Sequence, residues 1–309
     1  MDIFLQQIIN GLTLGSVYAL VALGYTMVYG IIGLINFAHG DVVMVGAMVV
    51  TVVVSALVGA DPNASAWFAI SVGILVAVPV CMVLGWTAER VAYRPLRRAP
   101  RLAALITAIG VSIILQNLAM MIWGRNYLSF PQIVVPEVYT VMGARISSLQ
   151  LVIMVVAGAL MAGLTFVVHR TRLGTAMRAT AQNREVAGLM GVNINTVISA
   201  AFLIGSALAA IAGTMITSYY GVAQYTMGAM LGMKAFTAAV LGGIGNLGGA
   251  MLGGLLLGVI EALGSGYIGD ITGGFLGSHY QDVFAFVVLV LVLIFRPSGL
   301  MGERVGDRA

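Results

Sequence analysis

The sequence predicts an all-α protein that crosses a lipid bilayer eight or nine times, and three observations predict it. The first is composition: 60% of the 309 residues are hydrophobic and 8% are charged. A soluble domain carries about 25% charged residues, and no soluble core of this length could hide so much apolar surface. The second is length: the apolar residues gather in runs close to the roughly 20 residues that a spanning helix needs. The third is charge placement. Twelve of the fourteen arginines fall in three short polar regions beside those runs, which is a membrane-orientation pattern.

The spans are expected near 8–33, 41–60, 65–90, 102–123, 147–169, 196–220, 227–244, 248–268 and 280–296. The start, "MDIFLQQIINGLTLGSVYAL", has no basic stretch, and its apolar run outlasts a signal peptide, so it reads as a retained helix. The seventh run is the weak one, glycine-rich and holding Lys234, which leaves the count at eight or nine.

The arginines favour nine. Arg90, Arg94, Arg97, Arg98 and Arg101 lie in loop 90–101, and Arg170, Arg172, Arg178 and Arg184 in loop 169–195. Arg296, Arg304 and Arg308 lie in the tail. Nine crossings put all twelve on one side, leaving Arg125 and Arg145 opposite. That side is then cytoplasmic, as is the C-terminus, with the N-terminus outside.

An internal repeat agrees. "GSVYALVA" (15–22) and "GSALAAIA" (205–212) share Gly-Ser-x-x-Ala-x-x-Ala at an offset of 190, each followed by glycine and Thr-Met. Segments 1–4 and 6–9 would run in opposite directions, an inverted-topology repeat built with discontinuous glycine-rich helices. The organisation expected is one transmembrane domain over 1–309. Repeat one covers about 8–123, a linking helix and cytoplasmic loop about 147–195, and repeat two about 196–296.

Several function classes fall away. The net charge of +4 sits in membrane-flanking loops, so nucleic acid is not an expected partner. His39, His169 and His279 are far apart, with no metal-ligand or nucleophile-base spacing. Neither a cofactor nor catalysis is expected. Cys81, the lone cysteine, reads as a small core residue. "LGGIGNLGGAMLGG" lacks the Gly-Lys-Ser/Thr of a phosphate loop and reads as packing and turn. The glycines at four-residue spacing, Gly228/Gly232, Gly245/Gly249/Gly253 and Gly254/Gly258, predict close helix–helix approach.

Three polar features remain. "RATAQNREVAGLMGVN" (178–193) predicts a short helix over 176–191 with Ala176, Ala179, Val186, Ala187 and Met190 on one face. Arg178, Gln182 and Glu185 take the other, and Gly188 and Gly191 loosen the end. So small an alanine-based face suits a protein groove better than lipid. "INFAHGD" puts Asn36, His39 and Asp41 where two helices meet. It reads either as a turn with Asp41 capping segment 2 or as a broken helix on a translocation path. Lys234 and Glu261 are charges inside spans, at depths of about 15 and 20 Å from the neighbouring turns at 1.5 Å per residue, and are expected to pair.

The blocks "YTMVYGIIGLINFAHGDVVMVGA", "ERVAYRPLR", "ALITAIGVSIILQN", "MKAFTAAVLGGIGNLGGAMLGGLLLGVIEAL" and "RPSGLMG" closely resemble the branched-chain amino acid permeases of ATP-binding-cassette importers. The resemblance covers nearly the whole chain. It implies a subunit of the bacterial inner membrane that hydrolyses nothing itself. The implied partners are a second homologous permease, two cytoplasmic ATPases, and a periplasmic binding protein delivering leucine, isoleucine or valine. Relatives in this family carry urea, short amides or other amino acids. The resemblance also implies an ATPase-docking loop of pattern Glu-Ala-Ala-x-x-x-Gly, which Glu185, Val186, Ala187 and Gly191 match with valine for one alanine. Ala179 and Arg184 flank it as further coupling candidates. The Ile-x-Leu-Pro that often follows is absent; the corresponding stretch reads "AFLI" (201–204). The reading from a different class is an ion-coupled secondary transporter, which Lys234 and Glu261 would suit.

Overall fold

The computed structural model describes residues 2–97, 99–134, 136–141, 143–271 and 281–302. Arg98, His279, Arg304 and Arg308 lie outside the described residues. The elements run α1 (Asp2–Ile32), α2 (His39–Ala60), α3 (Ala66–Ala88), a π-helical turn (Glu89–Tyr93), α4 (Arg101–Trp123), β1 (Leu128–Ser129), β2 (Val138–Val141) and β3 (Ala144–Ser147). They continue as α5 (Ser148–Arg170), α6 (Arg172–Gln182), α7 (Arg184–Leu189), α8 (Ile194–Tyr220), β4 (Val222–Ala223), α9 (Met227–Gly242), α10 (Leu247–Ile271) and α11 (Gln281–Phe295).

Each expected span is met by an apolar helix. Among the described residues, seven of the nine are long and apolar enough to cross a bilayer. The exceptions are α9, with 16 residues, and the apolar part of α11 at Phe286–Phe295. At 1.5 Å per residue, α9 reaches about 24 Å. The weak seventh run is therefore a short helix, closed after Gly242 by Gly243 and Gly245 at φ +109 and +95. The fold is an all-α polytopic membrane protein, with two tiny antiparallel pairings among the described residues, β1 with β4 and β2 with β3.

Packing divides the chain into two units. The first comprises Met1–Leu23, Pro136–Met161 and Lys234–Ala309. Here Gly249, Gly253, Gly254 and Gly258 make the close approaches expected of them, whereas Gly245, with φ +95 and no atom within 4 Å of where its Cβ would be, serves the turn instead. A Cβ at Gly11 would lie 2.6 Å from Val259 Cα, and one at Gly15 would lie 2.8 Å from Leu255 Cα. Cβ atoms at Gly254 and Gly258 would overlap the backbone at Ala19 and Gly15. The α1 and α10 backbones touch, a contact that side chains of any size would prevent. Gly258→Val should therefore push the helices apart, since backbone cannot move aside as a side chain can. Overpacking costs typically about 1–3 kcal/mol, and this site should reach the top of that range. The thermal midpoint of the purified protein should drop by several degrees; an unchanged midpoint would refute the packing argument. At the start of this unit Gln6 pairs with the Arg145 backbone in both directions, at 2.8 and 3.0 Å. Gln150 Nε2 donates to Asn10 Oδ1 at 3.1 Å.

The second unit comprises Gly24–Val135 and Ala162–Met233. Its centre is α2, buried along most of its length, with Met44, Val45, Ala47 and Met48 packed against Ala119, Ala223 and Trp123. Thr51 and Thr217 meet at 3.2 Å between α2 and α8. Gly40 and Gly228 approach so closely that a Cβ on Gly228 would lie 2.8 Å from Asp41 Cα.

Candidate functional site

The 169–195 loop is not one helix. Asn183 adopts extended φ/ψ of −155° and 109°, ends α6 and caps α7, its side chain accepting from Val186 N at 3.1 Å. This corrects the expected single helical face over 176–191. An Asx side chain that captures a free backbone N–H competes with helix continuation, so the chain restarts there. The wheel fails with it. The side of α6 turned inward carries Gly174, Met177 and Thr180, while α7 buries Ala187 alone. Thr171 caps α6 by accepting from Gly174 N, and Arg178 donates to the Val168 carbonyl at the end of α5.

α7 is closed at its other end as well. Gly191 at φ +85 lets Val192 N bond Ala187 O at 3.0 Å, the six-residue closure typical of a left-handed glycine after a helix. Gly191 is thus required by backbone conformation, and nothing lies within 4 Å of where its Cβ would be. Of the other coupling candidates, Ala179 is half-buried, Glu185 is exposed, and Ala187 is 4% exposed. Val186, Leu189 and Met190 stand 52%, 86% and 80% exposed. A six-residue helix and its C-cap residue, Met190, therefore present three uncovered apolar side chains. Leu189 was not among the expected residues, because the continuous wheel left it off the chosen face.

Arg184 faces its own chain. Its Nε and Nη2 donate to the Ile31 carbonyl at 3.0 and 2.8 Å. Partial burial pulls the guanidinium pKa below its usual value, yet an arginine stays charged.

The "INFAHGD" stretch is a break between helices. α1 stops at Ile32, Gly33 takes φ +64, and α2 starts at His39. Asp41 does not cap α2: Ala38 holds the cap position without a side-chain bond, and Asp41 lies inside the first turn. Its carboxylate is turned instead to α4, where Gln116 Nε2 donates at 3.0 Å. Asn36 accepts from the Tyr93 hydroxyl at 2.6 Å. The His39 imidazole fills the space that Gly24 leaves open, with the Tyr25 ring edge-on at 5.0 Å. All three polar candidates are buried, each against a different partner.

In the first unit Lys234 and Glu261 do meet. Lys234 Nζ lies 2.6 Å from Glu261 Oε1, and the residues are 7% and 1% exposed. Tyr18 joins them, its hydroxyl 3.3 Å from the carboxylate oxygen and 3.4 Å from Nζ. Tyr18 was unforeseen as a partner; a tyrosine inside an apolar run gives no hint of the helix it will face.

A second ion pair escaped sequence reading. Glu89, fully buried on the π-helical turn, accepts from Arg97 and, at 2.8 Å, from the Ser199 hydroxyl. Arg97 also donates to Asn195 at 2.7 Å. Burial lowers the Arg97 pKa and the Glu89 charge opposes it. This cluster pins the start of α8 to the end of α3. Among the described residues no group of three or more His, Cys, Asp or Glu is placed to hold a metal ion.

Apolar spanning helices, joined in the arginine-rich loop by a short helix with uncovered apolar side chains, define a polytopic membrane protein. The chain belongs to the branched-chain amino acid transport system permease component family, whose match covers residues 7–293. It is 46% identical to the high-affinity branched-chain amino acid transport system permease protein LivH of Salmonella typhimurium, over 97% of this chain and 96% of that protein. BraD of Pseudomonas aeruginosa, of the same description, is also 46% identical over the same shares. A probable branched-chain amino acid permease, LivH of Methanocaldococcus jannaschii, is 26% identical over 97% of the chain and 94% of its own length. No solved structure matches. The protein is the permease component of such a transport system.

Proposed function

We propose that the chain is one of two different permease subunits of an ATP-driven inner-membrane importer for leucine, isoleucine and valine. The observation that carries this reading is α7: Val186, Leu189 and the C-cap residue Met190 uncovered on an element held by Asn183 and Gly191, in the arginine-rich loop. Exposed apolar side chains on a rigid, polar-flanked element mark a protein interface. An ATPase docks there and supplies the work, while a periplasmic binding protein delivers substrate. The arginine side is cytoplasmic, the N-terminus is periplasmic, and segments 1–4 and 6–9 act as inverted repeats. Asn36, His39 and Asp41, at the α1–α2 break, are candidates for the path between the two permeases. Lys234 and Glu261 fix the α9–α10 packing.

Leucine uptake by cells carrying the system should stop on ATP depletion and persist when the proton and sodium gradients are collapsed with ATP maintained. The reverse pattern would make the protein an ion-coupled transporter. Mass analysis of the detergent-solubilised complex should find two non-identical permeases; a fully active permease homodimer would contradict the assembly.

A further inference from the structure

The first residue of α7 does not share the exposure of its neighbours. Arg184 reaches 153 positions back along the chain to Ile31 and gives its carbonyl two hydrogen bonds. Ile31 lies in the last turn of α1, where carbonyls have no intrahelical donor. A cation there also meets the negative end of the helix dipole. The acceptor is therefore a group that needs a donor, and the donor is a planar fork whose Nε and Nη2 both reach one oxygen.

Three further facts make this bond a mechanical link. The helix bearing Arg184 is capped at both ends, so a push on Leu189 moves α7 as a body. Past Ile32 the backbone leaves α1 at Gly33, φ +64, with no atom within 4 Å of where its Cβ would be. Residues 33–38 are non-helical up to the start of α2, whose approach is fixed by the Asn36–Tyr93 bond. Arg178 of the same loop, by contrast, holds the carbonyl of Val168 only ten residues away. Arg184 is thus a long-range fastening between the exposed helix and the place where α1 gives way to α2.

We propose that Arg184 is a positioning residue for transport: it ties the ATPase-docking helix to the C-terminal end of α1, so that movement of α7 is delivered to the 33–38 break. The proposal rests on the docking role of α7 and adds the route by which its movement enters the membrane domain. Glu185, beside Arg184, is exposed and leaves this fastening to the arginine.

The test uses the whole importer, purified through a tag on this permease and reconstituted in liposomes with its binding protein and leucine. Three variants are compared at equal permease abundance: Leu189→Asp, Arg184→Met and Arg184→Lys. Leu189→Asp should lose the ATPase on purification. Arg184→Met should retain it, because its side chain is turned away from the docking face, but leucine transported per ATP hydrolysed should fall at least tenfold. Arg184→Lys keeps the charge without the fork and should fall in between. A second measurement uses spin labels at Leu34→Cys and Gly188→Cys; their separation should stay constant between nucleotide-free and ATP-bound complexes. A wild-type coupling ratio in Arg184→Met overturns the proposal. So does loss of the ATPase from Arg184→Met, or parting of the two labels when ATP binds. If Leu189→Asp retains the ATPase, the docking role of α7 fails instead, which is a separate result.

Discussion

Lys234→Met alone should sharply reduce folded protein and transport, and adding Glu261→Gln should restore part of both. Removing one member of a buried ion pair leaves an uncompensated charge and costs about 3–5 kcal/mol, whereas neutralising both members can cost little. Glu261 is 1% exposed, and its Oε2 has no hydrogen-bond partner among the described residues. Without Lys234, the carboxylate would keep, among the described side chains, the Tyr18 hydroxyl at 3.3 Å. In the double variant the glutamine amide that replaces the carboxylate can still use that hydroxyl. Tyr18→Phe should be milder, at about 1–3 kcal/mol, the cost of one lost buried hydrogen-bond partner. Yield of monodisperse protein, thermal midpoint and leucine uptake are the measurements. A double variant no better than the worse single one would show that the pair is not an energetic unit.

Leu189→Asp should cut ATPase co-purification strongly while leaving the permease inserted at normal abundance. Leu189 is 86% exposed, so the substitution disturbs nothing inside the chain. Burying a leucine side chain in a partner is worth about 1.5–3 kcal/mol, and its loss alone weakens docking roughly ten- to hundredfold. An unpaired carboxylate in the same interface weakens it further. Ala187→Trp behaves differently. Ala187 is 4% exposed, so a tryptophan there unseats α7 from its own chain, and the resulting defect is one of folding. Unchanged co-purification in Leu189→Asp would remove α7 as the docking surface.

The helices were legible because each is encoded locally. A run of about 20 apolar residues has one stable form in hydrocarbon, a helix that satisfies its own backbone, whatever it packs against. The Gly254/Gly258 spacing was legible for the same reason, since only small residues allow its backbone contacts with Ala19 and Gly15. The Lys234–Glu261 pair could be read from depth, because a charge in a span has few affordable partners. The break at Asn183 was less legible. An asparagine can sit in a helix or end one, and here the free N–H of Val186 decides. Asp41 misled in a similar way: its place near a helix start suggested a cap, but Gln116, 75 residues away, holds its carboxylate.

The sequence by itself determined the solvent, the helices and their order, because hydropathy and helix length act over one segment at a time. Beyond the Lys234–Glu261 pair, the tertiary structure alone decided which polar groups meet: Arg184 with Ile31, Glu89 with Arg97 and Ser199, and Tyr18 with that pair. It also decided which apolar residues of α7 stay uncovered. In lipid, an apolar side chain gains nothing by turning from hydrocarbon to protein, so hydropathy does not choose a helix's buried face. Backbone contacts at glycines and a few hydrogen bonds make that choice, and their partners lie tens to hundreds of residues apart.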